Sequence, residues 1–201
     1  MATTQLKLGP TDHGKPLTLT EYEEAEYAHG YRYEIIDGRL YVSPESNFPE
    51  FMLNNWLVQK LNLYAGLHPD IINLVAFRSR VFVHDAERPT IPEPDIAAYH
   101  DLPLDQDFRD IHWRDLEPIL VVEVLVESDE HKDLVRNPDL YFTVPSIREY
   151  WVLDGRENPN EPTLIQHRRH GKRWVIRNFA YGATFTTKLL PGFEIVINPR
   201  Q

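Results

Sequence analysis

The chain has 201 residues, of which 42% are hydrophobic and 26% are charged, and these proportions exclude a disordered or fibrous protein. It contains no cysteine, which excludes disulfides, thiol nucleophiles and cysteine-ligated metal sites. Its 31 acids and 21 bases give a net charge of −10, which argues against tight nonspecific DNA binding by the isolated domain but is compatible with a metal site built from carboxylates.

The N-terminal residues predict neither a signal peptide nor a membrane anchor. Residues 1–10 lack an apolar stretch, and no run in the chain approaches the roughly 18 apolar residues of a membrane span. We therefore expect a cytoplasmic protein with no membrane partner. Residues 1–17 are rich in glycine and proline and predict an extended arm, so that residues 18–201 are expected to form one domain.

A helix and a hairpin are predicted next. Thr20 and Glu23 have the spacing of a capping box, which predicts a helix that begins there and ends at Gly30. Residues 31–42 contain two apolar alternations on either side of Asp37-Gly38, a strong hairpin signal.

The rest of the chain predicts further strands and helices around one sheet. The apolar spacing over residues 51–67 is typical of an amphipathic helix, and residues 119–126 are apolar on both faces, as in a buried central strand. Asn137 followed by Pro138 offers an N-cap for a short helix within residues 133–143. Other strands are predicted at residues 74–83, 95–99 and 148–154, with a hairpin at residues 164–176. The order predicts an α/β or α+β fold with a central mixed sheet flanked by helices.

Glu123 is the first candidate for a functional residue. It is the only charge in the strand of residues 119–126, where an isolated carboxylate is costly unless a cation, a metal or several donors compensate it. One interpretation is that Glu123 pairs with an arginine across the sheet. The other is that it is a metal ligand or a catalytic carboxylate. Asp95 opens another strand after Pro94, and together the two acids form a plausible pair of oxygen ligands for Mg²⁺.

Other candidates carry weaker signals. Glu34 precedes the Asp37-Gly38 turn, where the residue pattern alone indicates a solvent-facing position. The histidines lack the spacing of a metal site, and His112, His167 and His170 are interpreted as surface residues. Nucleotide-binding and serine-hydrolase motifs are absent from the sequence.

Four motifs in order, YRYEIIDGRLYVSPES, PEPDIAAY, ILVVEVLVES and LYFTVPSIREYWVLD, resemble the Uma2 family, also called DUF820. The similarity extends over residues 18–197. It implies a restriction-endonuclease-like fold of the PD-(D/E)XK superfamily, with a central mixed sheet flanked by helices. It also implies a phosphodiesterase site that uses a divalent metal, Mg²⁺ or Mn²⁺.

The resemblance assigns roles to particular residues of this chain. Asp95 matches the aspartate of the P-D element and Glu123 matches the acid of the (D/E)-x-K element, so these two are the expected metal ligands. Glu34 matches an acid contributed by the N-terminal segment. A lysine normally completes such a site by orienting water and stabilising negative charge.

This lysine is replaced. Position 125 is Leu125, and the resemblance implies that the family's lysine lies four residues before Tyr141, where this chain has Asn137. Lys132 and Arg136 are the nearby cations, and Lys132 is expected to be the catalytic one because its flexible stem can reach from an imperfect position. In an α-helix, however, Lys132 and Asn137 would lie about 140° apart.

Three functions follow as alternatives, the last of which is a structural protein whose Glu123 only pairs in the core. The first is a Mg²⁺-dependent endonuclease that hydrolyses DNA, as a homodimer if both strands are cut. The second is a catalytically weakened nuclease fold that acts as a binding or regulatory module. The acidic charge and the missing lysine favour the second.

Overall fold

The computed structural model describes residues 5–127 and 132–201, and the chain forms two compact units. The first unit combines Met1–Ser46 with Arg80–Glu93, and the second combines Asn47–Ser79 with Pro94–Gln201. Across the described stretches, no helix is both long and apolar enough to cross a membrane. The expected arm and single domain stay predictions.

The first unit is built around a β-hairpin with its own small core. Its elements are β1 (Lys7–Leu8), α1 (Leu19–Glu24), β2 (Glu26–Tyr27), β3 (Tyr31–Ile36) and β4 (Arg39–Pro44). Strands β3 and β4 pair antiparallel, and Asp37 and Gly38 both adopt positive φ, as a tight hairpin turn requires, so the predicted hairpin is confirmed. Strand β1 pairs in parallel with β2.

The start of α1 differs from the prediction. Thr18 and Glu21, not Thr20 and Glu23, form the capping box, and the helix ends at Glu24 rather than Gly30. Because β2 begins at Glu26, a helix starting after Thr20 would have only four residues. The earlier of the two equally spaced Thr/Glu pairs is therefore used.

The second unit contains a six-stranded mixed sheet. Its elements are α2 (Phe48–Leu67), β5 (Leu74–Phe77), β6 (Ile96–Tyr99), β7 (Pro118–Leu125), α3 (Asn137–Phe142), β8 (Glu149–Asp154), β9 (Thr163–His170), β10 (Arg173–Phe179), β11 (Thr184–Thr186) and β12 (Glu194–Val196). The strand order is β10-β9-β8-β7-β6-β5; β7 and β8 are parallel and the other pairs are antiparallel. The predicted mixed sheet is thus confirmed.

The two faces of the sheet differ in character. On one face, Val122, Val124 and Trp151 pack with Leu57 and Leu61 of α2 in the main core. Since successive side chains of a strand point to opposite faces, Glu123 lies on the other face of β7. The fold therefore places this carboxylate on the side of the sheet away from α2.

Candidate functional site

Strands β6 and β7 bring Asp95 and Glu123 together. Ile96 pairs with Val122 across these antiparallel strands, so continuing the register by one residue places Asp95 opposite Glu123. The backbone N–H of Asp95 donates to Glu123 Oε2 at 3.4 Å, and the backbone N–H of Val124 donates to Asp95 Oδ2 at 2.8 Å. The two side chains are only 3% and 1% exposed. The sheet therefore holds two acidic side chains at one buried point.

Helix α3 supplies hydrogen-bond donors to Glu123. Asn137 Nδ2 donates to Glu123 Oε1 at 2.9 Å, and the Tyr141 hydroxyl donates to the same oxygen at 2.8 Å. A hydrogen bond to a charged group contributes about 1.5–3 kcal/mol, which offsets part of the cost of burying the carboxylate. In the neighbouring strands Glu123 lies beside Asp95 and Val152, so an arginine across the sheet is not its cross-strand neighbour.

Asn137 joins Glu123 to a third buried acid. Its Nδ2 also donates to Asp133 Oδ1 at 3.0 Å, while Arg136 Nε and Nη2 donate to its Oδ1 at 3.1 and 2.9 Å. A guanidinium can only donate and an ionised carboxylate can only accept, so these partners determine the orientation of the amide. Asn137 is therefore a neutral bridge between two carboxylates and one cation.

Asp133 was missed by the sequence reasoning. It is 3% exposed, and the i, i+4 spacing from Asp133 to Asn137 was the available signal. Its importance depends on the burial of this turn against the sheet, which local sequence does not reveal.

The backbone before α3 explains why these groups meet. Lys132–Arg136 form a π-helical turn that continues into α3. Pro138 has no N–H to donate to the carbonyl of the residue four before it, and its ring would clash with that carbonyl, so the preceding turn widens. Arg136 is helical, so Asn137 is not the expected N-cap. In this turn residues five apart lie on nearly one side, so the α-helical separation of Lys132 from Asn137 does not apply here.

A buried tyrosine lies beside the acids. The Tyr150 hydroxyl donates to the backbone oxygen of Asp133 at 2.7 Å. Its burial, followed by the negative charges of Glu123, Asp133 and Asp95, raises the pKa of Tyr150 well above its usual value. Tyr150 therefore stays a neutral hydrogen-bond donor at physiological pH.

The surface interpretation of His167 is wrong. Its side chain is buried against the Tyr150 ring, with ring centroids 5.1 Å apart, because His167 in β9 pairs with Tyr150 in β8 and the two side chains lie on the same face of the sheet. Burial lowers the pKa of His167 below its usual value, and Nδ1 has no hydrogen-bond partner among the residues that the structure describes. His167 is thus a neutral core residue.

Glu34 lies in the first unit, on β3. It is 4% exposed, so the solvent-facing interpretation is wrong. Its Oε1 accepts a hydrogen bond from the backbone N–H of Glu93 at 3.0 Å, and Arg32 donates to the Glu93 backbone oxygen. Burial raises the pKa of the Glu93 carboxyl despite the adjacent Arg80. The convergence of Glu34 with Asp95 and Glu123 stays a prediction.

The donor set at Asp95 and Glu123 is suited to a hard divalent cation. Mg²⁺ in phosphoryl-transfer sites is held by one or two carboxylates together with waters and substrate phosphates. Asp95 and Glu123, two buried acids at neighbouring positions in the register of β6 and β7, meet that requirement. Within residues 5–127 and 132–201, no group of three histidine, cysteine or acidic side chains is arranged to hold a metal, so these residues do not form an all-protein cage.

Comparisons with known proteins agree with the fold. Residues 19–198 match the family model Uma2, described as a putative restriction endonuclease. A crystal structure described as a putative nuclease belonging to DUF820, from Anabaena variabilis, matches with a TM-score of 0.71 at 16% sequence identity, covering 90% of this chain and 96% of that chain. The search of curated proteins returned no match. The nuclease-like fold expected from the sequence is confirmed.

Proposed function

Because this chain belongs to the Uma2 family, we propose that it is a divalent-metal-dependent endonuclease that hydrolyses phosphodiester bonds of DNA. The observation that carries the proposal is the proximity of Asp95 and Glu123, two buried acids, with the backbone N–H of Asp95 donating to Glu123 Oε2. Burying two carboxylates together is costly, and a cation with its oxygen preference offsets that cost. Mg²⁺ or Mn²⁺ is the proposed ion.

The residues around the acids have distinct proposed tasks. Asp95 and Glu123 would hold the ion, which would supply Lewis-acid polarisation of the scissile phosphate. Asn137 and Tyr141 orient the Glu123 carboxylate through their hydrogen bonds. Lys132 is the proposed catalytic cation, which orients a water molecule and stabilises developing negative charge. Glu34 is proposed as a further acid of the site on the basis of the family resemblance.

The proposal is tested by nuclease and metal-binding assays on one pair of variants. Asp95→Asn is expected to abolish plasmid cleavage in Mg²⁺ or Mn²⁺ and to remove the metal-binding heat measured by calorimetry. Asp139→Asn, which makes the same charge change at an exposed position of α3, is expected to retain both. Unchanged cleavage or metal binding in Asp95→Asn would contradict the proposed site. Analytical sedimentation of the protein with DNA measures its oligomeric state and tests the homodimer that is expected if both strands are cut.

One contact favours the second candidate function, a weakened nuclease fold that binds without cutting. Asn137 is neutral, yet it occupies the position where the resemblance implies a lysine and it contacts Glu123. An amide reproduces the hydrogen bond of an ammonium but not its charge. Metal and DNA binding without cleavage would support this candidate. Cleavage gained in Asn137→Lys would then identify the missing charge as the cause.

A further inference from the structure

Positive charge is concentrated in one segment of this acidic chain. Residues 162–193 contain six of the 21 lysines and arginines and none of the 31 acids. The rest of the chain contains the other fifteen lysines and arginines together with all 31 acids. A strong asymmetry of this kind within one chain indicates a surface for an anionic partner.

The hairpin of β9 and β10 arranges these cations along one edge of the sheet. Arg168 lies opposite Val175, so Arg173 and Arg177 are its diagonal neighbours on the same face, at about 7–8 Å each. Arg173 and Arg177 are four residues apart on a strand, a distance of about 13 Å. Lys172 is in the adjoining turn. These four residues, Arg168, Lys172, Arg173 and Arg177, are named the basic ladder.

Among the described residues, the side chains of the basic ladder do not stabilise the fold through polar contacts. Three of its members are exposed and Arg168 is partly buried, and among the described residues none of the four makes an ion pair or a side-chain hydrogen bond. Like charges at this spacing repel one another, so their arrangement does not stabilise the hairpin.

Other arginines of the second unit do have internal roles. Arg169, in the same hairpin, donates to the backbone oxygens of Tyr141, Phe142 and Val144 at the end of α3. Arg109 pairs with Asp107 at 2.6 Å. In the described part of the chain, the basic ladder therefore differs from Arg169 and Arg109 in having no such polar partner.

We propose that the basic ladder binds the phosphate backbone of double-stranded DNA. Three of its four members are arginines, whose planar fork matches phosphate geometry. A length of about 13 Å spans roughly four phosphates of one strand at 3.4 Å of axial rise each. DNA as the partner rests on the proposed function, but binding at the ladder requires neither metal nor cleavage.

The proposed surface is separate from the acidic site. Arg168 lies opposite Glu149 at the start of β8, whereas Glu123 lies near the end of β7, which runs parallel to β8. Arg177 lies opposite Gln166, which pairs with Trp151 and through it with Val122, so the ladder reaches the level of Glu123 along the strands. DNA held at the basic ladder is therefore separated from Glu123 by the width of three strands and lies on the opposite, α2-facing side of the sheet. The ladder acts as a second, sequence-independent contact.

The test measures how DNA affinity depends on salt, in EDTA, by fluorescence anisotropy with a labelled duplex. Contacts to four phosphates predict a slope of log K against log salt of roughly −3.6. Arg173→Gln/Arg177→Gln is expected to make this slope shallower by roughly 1.8, and Arg109→Gln/Arg200→Gln, with the same charge change at exposed positions outside the hairpin, is expected to leave it unchanged.

Three outcomes would overturn the inference. Equal salt slopes in the two double variants would show that the ladder does not contact DNA. A changed oligomeric state of the DNA-free hairpin variant, with unchanged DNA affinity, would assign the ladder to a second copy of this chain. Aggregation of that variant with unchanged DNA affinity would assign the cations to protection of the edge strand.

Failure of this inference and failure of the proposed function give different results. Metal-dependent cleavage by the wild type with unaltered DNA binding by the hairpin variant would refute this inference alone, whereas ladder-dependent binding without cleavage would refute only the proposed function.

Discussion

Asn137→Asp is the sharpest perturbation of the buried acid network. The change replaces the Nδ2 donor by an oxygen at nearly the same position, 2.9 Å from Glu123 Oε1 and 3.0 Å from Asp133 Oδ1. Two hydrogen bonds to charged groups are lost, worth about 3–6 kcal/mol together. The new carboxylate retains its contact with Arg136, and this ion pair returns part of the loss. We expect a net destabilisation of about 3 kcal/mol near neutral pH.

The pH dependence of this loss has a definite sign. Three neighbouring carboxylates raise the pKa of at least one of them, and a protonated carboxyl can again donate a hydrogen bond. The destabilisation should therefore shrink at acidic pH and grow as the pH rises. Urea unfolding in EDTA at about pH 5 and about pH 8 measures this difference.

A second substitution checks that the carboxylates cause the loss. Asn137→Asp/Asp133→Asn exchanges the acid and the amide and restores one donor, so it should recover at least 1 kcal/mol or so of the loss through coupling. Asn62→Asp, on the exposed surface of α2, should change stability by no more than about 0.5 kcal/mol. If Asn137→Asp were as stable as the wild type at about pH 8, the hydrogen bonds from Asn137 to Glu123 and Asp133 would not contribute this stability.

Three further outcomes are expected. Glu123→Gln should stay within about 1 kcal/mol of the wild type in EDTA, because a glutamine oxygen still accepts from Asn137 and Tyr141, only the long 3.4 Å bond from the Asp95 N–H is lost, and carboxylate repulsion is relieved; a thermal melt showing a loss of about 3 kcal/mol or more would instead indicate a core ion pair. Lys132→Ala should lower plasmid cleavage at least about tenfold, or about 1.4 kcal/mol of barrier, and more than Arg136→Ala does, with circular dichroism as the folding control; full activity of the lysine variant would exclude the assignment. Because burial lowers the pKa of His167, the unfolded state binds its proton first as the pH falls, so stability should decline from about pH 7 to pH 5, and less steeply in His167→Gln, whereas equal slopes would mean that His167 is not the group responsible.

Local signals predicted the elements whose causes are local. Asp37-Gly38 predicts the hairpin of β3 and β4, which is confirmed, and a lone charge among β-forming residues indicates Glu123 as a candidate site residue, whose role stays a prediction. The position of Asp95 at the start of a predicted strand indicates it as the second candidate acid. The contact between Asp95 and Glu123 also depends on the register of β6 and β7, which the spacing of two distant motifs does not encode.

The remaining parts of the site depend on tertiary structure. The Asn-Pro pair is typical of helix starts and predicts an N-cap at Asn137, yet the amide of Asn137 donates to Glu123 and Asp133. The polar neighbours of His167 predict a surface position, although the pleat of β9 turns its side chain toward Tyr150. Both errors arise because a decisive partner lies far along the chain, Glu123 for Asn137 and Tyr150 for His167.

The π-helical turn of Lys132–Arg136 has a consequence for tolerance of deletions. Such a turn contains one residue more than an α-helical turn between nearly the same two points. Because Pro138 keeps this turn wide, removal of Val135 would not let the turn tighten into an α-helix, even though Val135 is exposed. The deletion would instead displace Asn137 and Tyr141 from β7, so an exposed residue of this turn is expected to tolerate substitution but not deletion.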